Sequence, residues 1–167
     1  MNDHVIIAPH ADDEIIGTFE ILNNPKLKPI IIYTSDMNDE RKKECMKLKE
    51  EVDIKAQFFL NNIPSNFLNP ISNNTFYFPH PIYETHPDHR VQGIVGESMA
   101  RNGYNVIFYI TEMNAPFKYE CPFPKAKLEL LNIIYPSQKD LWKYDHKYFL
   151  FSGYDQWKFF MMRGECI

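Results

Sequence analysis

Cysteine is scarce and poorly placed for cross-linking. The three present, Cys45, Cys121 and Cys166, are an odd number with no C-x-x-C spacing, which argues against a disulfide framework and against a cysteine zinc site. Free thiols fit a reducing compartment. No apolar run approaches the roughly 18 residues that a membrane helix needs, so no transmembrane segment is expected. Val5–Ala8, followed by Pro9 and His10, is too short for the core of a signal peptide, and a cytoplasmic location is the expectation. Positive charge is not in excess either. Eighteen Lys and Arg stand against 22 Asp and Glu, a net charge of −4, which argues against a dedicated nucleic-acid surface. Repeats, low-complexity tracts and Gly/Ser linkers are missing, so the 167 residues are expected to form a single domain over 1–167. Aromatic side chains are what the chain has in quantity: they make up 15% of it, enough for a packed interior and incompatible with intrinsic disorder.

Hydrophobic patterning alternates between two kinds of segment. Short Val- and Ile-rich runs at 4–9, 29–34 and 105–111 read as buried strands, with shorter ones at 57–60 and 75–78. Between them, Ala11–Asn23, Asn38–Val52, Pro87–Arg101 and Ala126–Ile134 carry apolar residues at helical spacing, and Gln138–Tyr144 is a further helix candidate. Residues 61–74 are polar and long for a connection, the kind of loop that tends to be functional or mobile. The aromatic stretch Tyr144–Phe160 has no clear period and is expected to be core. Strands alternating with helices predict βαβ units: an α/β, single-domain, three-layer α/β/α Rossmann-like fold with a mostly parallel sheet. In such sheets ligands bind at the carboxyl ends of the strands, beside helix N-termini.

Two compact polar clusters fall at such junctions. Pro9-His10-Ala11-Asp12-Asp13-Glu14 follows the first strand, and His86-Pro87-Asp88-His89 opens the helix after the strand at 75–78. His10 and Asp13, three apart across a strand end and a first helical turn, can converge on one point. Pro87 at the first helical position puts His86 near the N-cap and His89 one turn in, so the two imidazoles can share a face. Two histidine nitrogens and one carboxylate oxygen form a common catalytic zinc set with a position left for water. Taken singly, the acidic run also suits a helix start and the second cluster suits a structural histidine at a helix N-terminus. The pair of clusters at one sheet edge favours the metal.

The segment Ala8-Pro9-His10-Ala11-Asp12-Asp13-Glu14 with Gly17, and His86-Pro87-Asp88-His89 downstream, resembles the PIG-L/LmbE-like zinc-dependent de-N-acetylases, which include N-acetylglucosaminyl-phosphatidylinositol de-N-acetylase. The family motifs P-H-x-D-D-E and H-x-D-H stand intact, with Ala11 in place of the usual proline. Thr34-Ser35-Asp36, Arg41-x-x-Glu44 and Tyr135-Pro136-Ser137-Gln138 look like further family segments, whereas 61–74 match nothing in it. The resemblance implies His10, Asp13 and His89 as ligands of one zinc ion, Asp12 as general base, His86 as a catalytic histidine that is not a ligand, and Arg41 as a substrate contact. Asp88 could hold the His86 imidazole oriented. Iron(II) or cobalt would suit the same nitrogen and oxygen set. The implied reaction is amide hydrolysis that releases acetate from an N-acetylated sugar or glycoconjugate. Two other readings compete: a metallophosphoesterase acting on a nucleotide or phosphosugar, and a non-catalytic carbohydrate-binding relative. A two-metal phosphoesterase needs more ligands, for which Asp36, His80 and Glu84 are the residues left. A pure binding module has no use for a base at Asp12.

Overall fold

The computed structural model describes residues 3–52, 54–58, 73–111, 119–142 and 151–156. In chain order these form β1 (His4–Ala8), α1 (Asp13–Leu22), β2 (Ile30–Tyr33), α2 (Asp39–Glu51), β3 (Lys55–Phe58), β4 (Thr75–Pro79), α3 (Pro87–Arg101), β5 (Asn105–Ile110), β6 (Tyr119–Glu120), α4 (Pro124–Ile134), a 3₁₀ turn (Pro136–Gln138), α5 (Lys139–Trp142) and β7 (Phe151–Gln156). The sheet order is β3-β2-β1-β4-β5-β7-β6. The first five strands are parallel, β7 runs antiparallel to β5, and β6 antiparallel to β7. This is the expected single-domain α/β fold with a mostly parallel sheet.

Strand alternation sorts the core into two layers. Ile6, Ala8, Ile31, Tyr33, Tyr77 and Tyr109 face one side, where α1, α2 and α4 contribute Ile15, Phe19, Leu48 and Leu131. Val5, Ile7, Ile30, Ile32, Phe76, Phe78, Val106 and Phe108 face the other, where α3 supplies Met99 and Ala100. Strands buried on both faces explain why β1 and β2 read as unbroken apolar runs without a polar alternate. Among the described residues, no helix is long and apolar enough to cross a membrane.

Several boundaries differ from the sequence reading. β3 starts at Lys55, ahead of the apolar residues that marked it. α4 starts at Pro124, because proline at a first helical position lacks only an N–H that has no intrahelical partner there. β7 falls in the aromatic stretch expected to be core, and its antiparallel pairing with β5 left no periodic trace. Phe67, Asn69, Phe117, His146 and Trp157, along with most of 61–74, lie outside the described residues.

The strand order places the chemistry. From β1 the chain steps outward to β2 and β3, then returns to the far side of β1 as β4. Between the carboxyl ends of β1 and β4 the winding reverses, and in open α/β sheets this is where ligands bind. The loops leaving those two strands carry His10 and His86–His89.

Candidate metal centre

Asp12 sits directly before α1 with φ 110°, ψ −27°, a left-handed conformation that is costly for a residue with a Cβ. Several contacts impose it. The Asp12 N–H donates to Glu14 Oε2 at 3.1 Å, and the Asp12 carbonyl accepts from Ile15 and Ile16 N–H at 3.0 and 2.9 Å. Arg41 donates to the Ala11 carbonyl and to Asp12 Oδ2, the latter at 3.3 Å. Glu14 is fully buried, and Tyr135 Oη donates to its second oxygen. Burial pushes the Glu14 carboxyl up to about 7. The tight turn also brings Asp13 back over the strand end, where its Oδ2 accepts from the His10 N–H at 2.8 Å.

α3 begins as its sequence implies. His86 is the N-cap, its Nδ1 accepting from the Asp88 N–H at 3.2 Å, and Pro87 follows. His89, one turn in, is 5% exposed and turns Nε2 towards the loop after β1. There His89 Nε2 lies 3.1 Å from His10 Nδ1 and 3.1 Å from Asp13 Oδ2, and His10 Nδ1 lies 3.5 Å from Asp13 Oδ2. His10, His86 and His89 each offer a nitrogen within 4.8 Å of the others, so the three could hold a metal ion. Exchanging His86 for Asp13 tightens the set to a triangle of 3.1, 3.1 and 3.5 Å. A tetrahedral ion with bonds of about 2.0–2.1 Å needs ligand separations of roughly 3.3 Å. The donor types and separations are compatible with a tetrahedral zinc ion.

The outer ring nitrogens are anchored in turn. His10 Nε2 lies 3.0 Å from Asp88 Oδ2, and His89 Nδ1 lies 2.9 Å from Glu84 Oε2. With those nitrogens donating, the inner nitrogens of His10 and His89 are left facing Asp13 Oδ2, close enough to share a proton with it or to hold a cation. The electrostatics agree. Burial draws His89 down, but Asp13 and Glu84 outweigh it and push the imidazole up to about 10. Burial also lifts Asp13, but His89 and His10 overcome it and hold the carboxyl well below the usual carboxylate range.

The structure therefore brings together His10, Asp13 and His89, with Asp12 adjacent in the chain. Burial and the neighbouring Asp13 charge push the Asp12 carboxyl up, against the pull of Arg41. Two residues stand differently from expectation. Asp88, expected to orient His86, lies 3.9 Å from His86 Nδ1; its Oδ2 pairs with His10 instead and accepts from Ser35 Oγ at 3.2 Å. His86 Nδ1 is already satisfied by a backbone N–H. Arg41, expected to contact substrate, is turned inward, its side chain 12% exposed. Besides Asp12 and Ala11, it donates to Glu44 Oε2 at 3.1 Å and lies over the Tyr135 ring at 5.1 Å. Glu44 accepts from Ser137 N–H and Oγ at 2.9 and 2.8 Å. The segments Arg41–Glu44 and Tyr135–Gln138 are thus clasped together behind Asp12, and Arg41 positions that residue.

Sequence reasoning missed Glu84 as the anchor of His89. Its only signal is a place just ahead of the His86–His89 stretch. The remaining candidates have other duties. His80 Nδ1 accepts from the N–H groups of Ile82 and Tyr83 at 3.1 and 3.2 Å, Asp36 Oδ1 accepts from Met37 N–H at 2.9 Å, and His4 pairs with Tyr77 Oη at 2.9 Å.

No family model and no curated protein matches the chain. Among solved structures the fold is similar to that of GalB, the 4-carboxy-2-hydroxymuconate hydratase from Pseudomonas putida KT2440, at a TM-score of 0.66 and 10% identity over 94% of this chain and 96% of that one. At that identity the likeness concerns the fold.

Proposed function

We propose that this chain is a zinc-dependent hydrolase that removes the acetyl group from an N-acetylated sugar or glycoconjugate, as its resemblance to the PIG-L/LmbE-like de-N-acetylases implies. The observation that carries the reading is the triangle of donor atoms from His10, Asp13 and His89, closed to 3.1–3.5 Å beside a buried carboxyl, Asp12, that is not part of it. Bound there, zinc would polarise an amide carbonyl and lower the pKa of a water towards about 7.

The chain's own groups supply the proton transfers. Asp12, whose carboxylate is made more basic by burial and the Asp13 charge while Arg41 favours its ionised form, is suited to take the proton of the attacking water and return it to the amide nitrogen. The water oxygen bonds to the acetyl carbon, and the C–N bond breaks once nitrogen is protonated, giving acetate and a free amine. Because His86 Nδ1 accepts a backbone N–H, its Nε2 carries the hydrogen even in the neutral ring. His86 can therefore donate to the developing oxyanion without first being charged, a contribution typically worth about 10²–10³ in rate. The residues that a second metal would require favour this reading over two-metal phosphoester hydrolysis: Asp36 and His80 are turned to backbone N–H groups and Glu84 to His89 and Thr111.

The test is an acetate-release screen over N-acetylated sugars with zinc-loaded protein, run beside Asp12→Asn. One zinc per chain in both proteins is expected, with turnover lowered by about 10²–10⁴-fold in the variant. Equal turnover in the two would remove Asp12 as the base, and two ions per chain would favour the phosphoesterase.

A further inference from the structure

We propose that Glu84 and Thr111 act together as the positioning pair of His89, and that this pair, more than Asp88, sets the affinity of the site for its cation. The inference rests on reading His10, Asp13 and His89 as the metal-binding set. Glu84 is 2% exposed, and both its oxygens are committed. Oε1 accepts from the Thr111 N–H at 2.6 Å; Oε2 accepts from Thr111 Oγ1 at 2.8 Å and faces His89 Nδ1 at 2.9 Å. Thr111, 8% exposed, directly follows β5, so the clamp ties the metal-facing turn of α3 to the end of a core strand.

The clamp has a chemical consequence. A carboxylate offers only acceptors, and both Thr111 groups must donate to it, which leaves His89 Nδ1 as the third donor. Once a cation displaces the proton that the metal-free ring holds on Nε2, that nitrogen presents its lone pair to the ion, the tautomer that a cation requires. A carboxylate partner also raises the basicity of the ligand nitrogen. His10 is held less firmly. Its partner Asp88 has a side chain 49% exposed, where water screens the interaction and competes for the same oxygen.

Replacing Glu84 by Gln keeps the shape but cannot satisfy the clamp. If the amide oxygen faces Thr111 N–H, the NH₂ group meets Nδ1 and favours the wrong His89 tautomer. If it faces His89, the NH₂ group meets a backbone donor. The experiment is zinc titration of the full chain against a chromophoric chelator, for the parent, Glu84→Gln, Thr111→Val and Asp88→Asn, with thermal unfolding of each metal-free protein as a check on folding. Glu84→Gln is expected to weaken zinc binding by about 10–100-fold, and Thr111→Val, which leaves the backbone donor, by less. Asp88→Asn should lose less than Glu84→Gln. In the zinc-loaded parent, the His89 Nδ1–H proton should appear far downfield in an ¹H–¹⁵N spectrum and move or vanish in Glu84→Gln.

Zinc affinity of Glu84→Gln within about threefold of the parent, well short of the 10–100-fold usual for such partners, overturns the proposal. So does an unmoved Nδ1–H resonance, or a larger loss from Asp88→Asn. Should Glu84→Gln not fold, Thr111→Val carries the same test, and parent-like affinity there overturns the proposal. A parent that binds no zinc at all sinks the metal reading itself, a failure visible before any variant is made.

Discussion

His80 and His89 lie on the same stretch of chain and are both closed off from solvent, at 0% and 5% exposure, yet their surroundings give them opposite characters. His80 directly follows β4 and turns its Nδ1 to two backbone N–H groups in the following turn, its ring resting near Tyr83 and Phe108. Burial pulls its pKa down to about 3, so it is a neutral acceptor that stitches a turn. His89 stands between Asp13 and Glu84, and those carboxylates carry it up to about 10 in spite of burial. The same side chain at similar depth is thus kept neutral or drawn to its charged form according to whether backbone donors or carboxylates face it. A buried histidine is informative about function only through its partners.

The sharpest way to break that contrast is to make the same substitution at both positions. On the proposed metal set, His89→Asn removes a ligand and is expected to weaken zinc binding by more than the roughly 100-fold upper range for loss of an outer partner. It also leaves Asp13 and Glu84 buried without their shared partner, which should cost about 3–5 kcal/mol in urea unfolding of the metal-free protein at neutral pH. His80→Asn keeps an acceptor for the turn and should leave zinc binding alone. A matching loss of zinc from both variants would dissolve the distinction.

The second prediction concerns acid. In the unfolded chain His80 takes a proton near pH 6.5, whereas in the folded chain it resists until about pH 3. Between those values the unfolded state binds the extra proton, so stability falls as pH falls through the window and is unaffected above it. Relative to His80→Asn, the parent should lose roughly 3–5 kcal/mol of unfolding free energy on going from pH 7 to pH 3. Denaturant unfolding of both proteins across that range measures the difference, and parallel curves would show that His80 is not the buried neutral group described.

Much of the fold was legible because β1, β2, β4 and β5 are apolar on both faces and the helices are not. α3 was readable to the residue, since Pro87 and the N-capping His86 mark its start and the apolar spacing runs to Arg101. The site was legible where it is local: His10 with Asp13, and His86 with His89, are each three apart. What joins them is not local. Asp88 meets His10 and Glu84 meets Thr111 only because β1, β4 and β5 end side by side, and no spacing along the chain encodes that register. The setting of Arg41 was hidden for a related reason. An arginine on a helix rich in exposed lysines looks available, and only the approach of Tyr135 and Ser137 shows that it faces inward. The antiparallel β7 was invisible because its partner lies far back in the chain.

The smallest expected effect probes the contact that holds the two histidines in their separate settings. Gly93, on the buried face of α3, passes so close to the preceding turn that a Cβ there would lie 2.6 Å from Pro81 Cα and 2.8 Å from the Pro79 carbonyl oxygen. These are backbone atoms, which cannot rotate aside as a side chain could. Gly93→Ala must therefore push α3 away from the turn that His80 braces, and overpacking of this kind typically costs about 1–3 kcal/mol. Part of the loss is offset, because alanine is the better helix former by up to about 1 kcal/mol. The net expectation is a modest drop in unfolding free energy together with weakened zinc binding, since His89 rides on the helix that moves. Stability lowered with zinc affinity intact would mean that the shift is absorbed at the Pro81 turn and that the Glu84–Thr111 clamp alone keeps His89 in place.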